Sequence, residues 1–202
     1  MEREPKDRIL AMFPLPIMLL PGEQTQLHIY EDRYKELLHD IESERLQFGI
    51  PFTDKNHTLK YGVIVNLVKV DTRYPDGAMD ILIEATDLFE VSEYNNALPG
   101  KNYPGGKIQL VNYNDHKILS PYLKKLFTAF ARHFDNKNDV LNYVHELKRY
   151  EMASLISLDN KEKLKFIGLS PAEQERFMVR KLNYLLLLIN QEKRVQNNIY
   201  LN

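Results

Sequence analysis

The chain has 202 residues, 44% of them hydrophobic, which is enough to bury a sizeable core without covalent staples. Its 27 Lys and Arg against 28 Asp and Glu leave a formal net charge of -1 and exclude a global positive field that would draw it to nucleic acid or anionic lipid. It contains no cysteine, which excludes disulfides, thiolate metal sites and cysteine nucleophiles together and fits a reducing compartment.

The opening Met1-Glu2-Arg3-Glu4-Pro5-Lys6-Asp7-Arg8 is a mixed-charge run, and Pro14, Pro16 and Pro21 break the apolar stretch behind it, so no signal peptide is read. Ile9 to Leu20, rich in apolar and β-branched residues but interrupted by proline, suits an edge or irregular strand. Pro21-Gly22 marks a turn. From Glu31 to Glu44, Tyr34, Leu37, Leu38 and Ile41 recur at the spacing that puts them on one helical face, which predicts a helix packed on a sheet. Strands are expected at Phe48 to Phe52, Tyr61 to Asp71, Met79 to Ala85, Leu88 to Tyr94 and Lys107 to Tyr113, with Pro75-Asp76-Gly77 as a hairpin turn. Short strands at regular spacing suggest a barrel or sandwich.

The pattern then changes. Ser120-Pro121 reads as an N-cap followed by proline at the first helical position, with Leu123, Leu126, Phe127, Phe130 and Phe134 along one face. A second helix is expected from Val140 to about Ile156, and a short one from Asn160 to Phe166 closed by Gly168. Ser170-Pro171-Ala172-Glu173 combines a capping box with a proline start for a last helix carrying Phe177, Leu182, Leu185, Leu186 and Ile189. The fold class is α+β, with a β-rich subdomain over residues 1–116 and a helical one over 117–202. Leu185 to Ile189 is far shorter than the ~20 residues of a membrane span. The leucines at 185 to 188 go round the whole helix, so a central helix, in a monomer, is the favoured reading and a dimer seam the alternative.

Few segments carry chemistry. Gly100-Lys101-Asn102-Tyr103-Pro104-Gly105-Gly106-Lys107 ends in Gly-Lys, but Lys101 stands where a phosphate loop needs glycine, Ile108 replaces the Ser or Thr, and a strand follows in place of a helix. The stretch reads as a loop or hairpin. No G-x-S-x-G elbow is present, and Ser120 and Ser170 read as helix caps. The six histidines include no H-E-x-x-H, since Arg149 occupies the place of the second ligand after His145-Glu146. No catalytic residue, metal site or cofactor is therefore assigned. The densest polar and aromatic cluster is His28, Tyr30, Glu31, Arg33 and Tyr34, at a strand-to-helix transition. Its plain reading is local pairing of the charges with the tyrosines in the core; its functional reading is the border of a binding surface. Tyr74 and Tyr103, in loops, are further contact candidates, because tyrosine offers large area at low entropic cost.

Phe13-Pro14-Leu15-Pro16-Ile17-Met18-Leu19-Leu20-Pro21-Gly22 followed by Leu27-His28-Ile29-Tyr30-Glu31-Asp32-Arg33-Tyr34 resembles the opening signature of the Lon protease N-terminal domain. The match continues in order through Phe48-Gly49-Ile50, Tyr61-Gly62-Val63-Ile64-Val65 and Asp76-Gly77 into Asp80-Ile81-Leu82-Ile83-Glu84, and more loosely through Leu155 to Lys165. One departure is Ala85-Thr86, where the family often has glycine in a tight connection.

The resemblance implies a PUA-like pseudobarrel with an inserted helix, followed by a helical subdomain. It also implies a non-catalytic module that binds unfolded or exposed apolar polypeptide, either alone or for a separate AAA+ protease. With no signal peptide or membrane span read, the expected setting is cytoplasmic, and the residue pattern makes His28, Tyr30, Arg33, Tyr34, Tyr74 and Tyr103 the candidate peptide contacts. PUA-like folds also serve RNA recognition; that alternative needs clustered Lys and Arg, which the charge balance counts against.

Overall fold

The computed structural model of the chain describes residues 8–54, 60–111, 119–134 and 137–199. The chain divides into two units, Met1–Tyr113 with Asp159–Leu164, and Asn114–Leu158 with Lys165–Asn202. The boundary expected at 116/117 lies outside the described residues, as do His57 and His116.

The first unit contains strands β1 (Arg8–Ala11), β2 (Gln24–Ile29), β3 (Phe48–Pro51), β4 (Tyr61–Arg73), β5 (Met79–Asn95) and β6 (Gly105–Leu110), with helix α1 (Asp32–Glu44) between β2 and β3. The ladders are antiparallel in the order β1-β6-β5-β4-β3, and β2 pairs with β5. β1 stops before Pro14 and Pro16, which have no N–H to give a ladder. The chain beyond it crosses to the far end of the sheet, where Met12 bridges Gly49 and Leu15 bridges Phe52 in parallel. Phe13 N–H donates to Gly49 O at 2.8 Å and Thr53 N–H to Leu15 O at 3.0 Å, closing the sheet on itself.

Inside the closed sheet, Phe89 packs with Leu10, Met12, Ile64 and Ile108. Its ring lies against Gly62, where a Cβ would collide with both the ring and the Ile50 carbonyl oxygen. α1 buries Tyr34, Leu37, Leu38 and Ile41, the four residues its spacing predicts.

Three features of this unit depart from expectation. The strands expected at Met79 to Ala85 and Leu88 to Tyr94 are one strand, β5. Where a tight connection was expected at Ala85-Thr86, Val65 faces Ala85 and Ile64 faces Asp87, so Thr86 is the extra residue of a bulge, and its Oγ1 donates to Ile64 O at 3.2 Å. The bulge falls where β5 exchanges β2 for β6 as its second neighbour. Also unforeseen as a separate strand was β2, whose Gln24, Gln26 and His28 are exposed while Thr25 and Leu27 are half-buried and Ile29 buried.

Residues 159–164 supply the hydrogen bonds that the proline-broken stretch before β2 cannot find in the sheet. Asn160 Oδ1 accepts from Met18 N–H at 2.9 Å while its Nδ2 donates to Pro16 O at 2.9 Å. Lys163 Nζ pairs with Glu23 Oε2 at 2.6 Å, and that oxygen also accepts from Leu20 N–H at 2.9 Å.

The second unit holds α2 (Pro121–Ala131), α3 (Lys137–Tyr143), α4 (Arg149–Ser154), the end of α5 (Asn160–Ile167) and α6 (Pro171–Ile199). Ser120 Oγ caps α2 by accepting from Leu123 N–H at 3.2 Å. The N–H and Oγ of Ser170 both donate to Glu173, at 3.0 and 2.6 Å. The single helix expected from Val140 to Ile156 is two: Lys148 is extended (φ -80°, ψ 169°), and its N–H donates to Glu151 Oε2 at 2.7 Å, which starts α4 afresh.

The central-helix reading of the leucine run is corrected. Phe177, Met178 and Leu182 are buried, whereas Leu185, Leu186 and Leu188 are half-buried and Leu187 is exposed. The reason is that α2 packs on one side of a run that goes round the whole helix: Tyr122 at its start lies beside Val179, and His133 just past its end lies 3.4 Å from Lys193 Nζ, so α2 passes the leucines and leaves Leu187 outside. No helix among the described residues is long and apolar enough to cross a membrane.

Candidate functional site

Of the six contact candidates, the fold brings three together. The β2–β5 register sets His28 opposite Asp80, and the turn that joins β4 to β5 brings Tyr74 back onto the same carboxylate. That turn is fixed locally: Tyr74 N–H donates to Ala78 O at 2.8 Å, Gly77 takes φ +81°, and Lys35 Nζ of α1 donates to Asp76 O at 3.1 Å. His28 Nδ1 lies 2.6 Å from Asp80 Oδ1, and Tyr74 OH donates to Asp80 Oδ2 at 2.6 Å. Tyr30 stacks on the His28 ring at 6.0 Å between centroids, and Tyr74 meets it edge-on at 5.7 Å.

These are surface groups. Tyr30 is 64% exposed and Tyr74 41%, so their ring faces are open to a ligand. The Tyr74 hydroxyl, and after it the His28 ring, holds the Asp80 carboxyl below its ordinary value, and the same bond raises the Tyr74 phenol. Both carboxylate oxygens are thus engaged, and a carboxyl held below its normal range is a weak base. What the cluster offers a ligand is aromatic area oriented by a central acceptor. It suits stacking and apolar contact better than proton transfer.

The other three candidates are placed elsewhere. Arg33 is held by Glu31, with Nη2 to Oε2 at 2.7 Å, and lies 4.6 Å over the ring of Tyr34. Tyr34 is buried against Phe13 with ring centroids 4.0 Å apart, and Tyr103 is buried as well. Tyr103 OH donates to Asp40 Oδ2 at 2.7 Å, and Lys101 Nζ pairs with the same oxygen at 2.6 Å. Desolvation first, and the Asp40 bond second, push the Tyr103 phenol up. Neither tyrosine presents a face to a ligand: Tyr34 takes the core role of the plain reading, and Tyr103 ties the β5–β6 connection to α1. The glycine-rich stretch is that connection, closed by Leu98 N–H to Tyr103 O at 3.0 Å.

Asp80 was missed. Within Asp80-Ile81-Leu82-Ile83-Glu84 it reads as one polar position of an alternating strand. Only the strand register reveals that it organises the rings. A groove of about 560 Å³ between the end of α1 and β4 was also not foreseen; Leu46 and Val68 line it, 50% and 45% exposed.

Comparison with known proteins adds to this geometry. The family model of the ATP-dependent protease La (LON) substrate-binding domain matches residues 9–169. No curated protein matches the chain. A solved Lon N-terminal domain protein from Xanthomonas campestris is similar over 89% of this chain and 98% of its own, with 22% identity and a TM-score of 0.64. The N-terminal domain of the Mycobacterium avium complex Lon protease is similar over 87% of this chain and 98% of its own, with 15% identity and a TM-score of 0.68. At these identities the two structures speak for the fold.

Proposed function

The chain belongs to the LON substrate-binding domain family, and we propose that it acts as a non-catalytic recognition module for unfolded polypeptide, holding exposed apolar segments on the surface formed by His28, Tyr30 and Tyr74. The observation that carries this is the pair of open tyrosine rings braced on His28 and Asp80. Rigid aromatic faces bind varied side chains at low entropic cost, as a module accepting many sequences requires. In this reading the partner that consumes the bound polypeptide is an ATP-dependent protease, and the setting is cytoplasmic.

The test is an amide NMR titration of the labelled protein with a reduced, carboxymethylated, permanently unfolded protein and, separately, with a mixed RNA. Shifts clustered at residues 28–30 and 74–80 with the polypeptide support the proposal. No shift with polypeptide, or shifts with RNA alone, overturns it.

A further inference from the structure

We infer that the outer edge of β2 binds an extended segment of unfolded polypeptide as an added β-strand. This rests on the polypeptide-recognition reading and specifies how the chain is held. β2 pairs with β5 on one side, and among the described residues no backbone group pairs with its other side. An unpaired strand edge is a row of N–H and C=O groups spaced for one ligand class, a second extended backbone.

Among the described residues two unpaired strand edges flank β5 in this part of the sheet, and they differ. The outer half of β4, Asn66 to Arg73, extends past the end of its ladder with β3. It carries extra residues at Val68 and Asp71 and the charges Lys69, Asp71 and Arg73. Bulges and charges are the devices that keep an edge from accepting another strand. β2 has none of them. Its register from Gln24 opposite Glu84 to Ile29 opposite Met79 is one-for-one, and Gln-Thr-Gln-Leu-His-Ile holds no proline, lysine or acidic residue. The six residues present an edge of about 20 Å. One end of that edge runs directly into Tyr30 and the His28 ring, so a strand laid along it delivers a side chain to the aromatic cluster. Main-chain bonds along β2 supply affinity independent of sequence, and the aromatic cluster adds a preference for apolar side chains.

The test uses a soluble ten-residue peptide with alternating apolar residues, and the same peptide N-methylated at every central amide. N-methylation removes the main-chain donors and leaves the side chains in place. Strand addition predicts that methylation weakens binding by roughly tenfold or more. It also predicts that the parent peptide slows amide hydrogen exchange at alternate residues of 24–29 and leaves 66–73 unchanged. Equal binding of the two peptides, or protection elsewhere, overturns strand addition while leaving the recognition module intact. Failure of the parent peptide and of the unfolded protein to bind removes both. If β2 amides become protected with rising protein concentration and no peptide, the occupant is a second copy of the chain and the inference is wrong.

Discussion

Asp80 and His28 face each other across the β2–β5 ladder, Oδ1 to Nδ1 at 2.6 Å, and the second oxygen of the same carboxylate holds Tyr74. Removing that acceptor should release both rings without opening the core, since Asp80 is a partly exposed residue at the start of β5. Asp80→Ala is expected to weaken binding of the unfolded probe roughly fivefold. Its Tm should stay within about 2 °C of wild type. Isothermal titration and thermal melting check the two halves.

Tyr30→Ala and Tyr74→Ala should each reduce probe affinity by a similar factor, because each removes an open ring face. Tyr34→Ala is the contrasting case. Its ring is buried against Phe13, so the loss is expected in stability, about 3 kcal/mol by chemical denaturation.

The Asp40–Tyr103–Lys101 cluster should give the first unit a pH signature. Lys101 first, and Tyr103 second, hold the Asp40 carboxyl below its ordinary 3.8. Its contribution to stability is therefore present above that pH and drains away as the pH falls through the lowered folded value. The raised Tyr103 phenol acts in the opposite sense: its contribution is present below its ordinary 10.0 and is lost as the pH rises towards the folded value. Tyr103→Phe is expected to cost about 1–2 kcal/mol at neutral pH and to flatten part of the alkaline slope. Urea unfolding across pH 3 to 11 reads both.

Gly62→Ala should destabilise by about 3 kcal/mol. The added methyl meets the Phe89 ring and the backbone oxygen of Ile50, and the oxygen cannot turn away. Pairing it with Phe89→Leu, which shortens the opposing side chain, should recover part of the loss in a double-mutant cycle.

In the helical unit, Gln174 is buried and its Nε2 donates to Tyr150 OH at 3.0 Å and Phe166 O at 2.9 Å. Gln174→Leu leaves both acceptors without that donor and should cost about 2 kcal/mol, with faster amide exchange in α5 and α6.

Much of this protein was determined by sequence alone, wherever the cause is local. Tyr34, Leu37, Leu38 and Ile41 announced the buried face of α1, Ser120-Pro121 the start of α2, and Pro75-Asp76-Gly77 the hairpin, because caps, periodicity and turn chemistry act within a few residues. Tertiary structure decided what depends on partners distant in the chain. The bulge at Thr86 exists because β5 changes neighbours there, and β2 is a strand because Met79 to Glu84 offers it a ladder. The leucine run of α6 is half-covered because it goes round the helix while α2 packs along one side of it. Among the site candidates, Tyr74 and Tyr103 are the same residue type in similar loops. Strand register carried one to an exposed surface beside His28 and the other onto Asp40 in the interior, and no local pattern distinguishes residues whose roles are set by what folds against them.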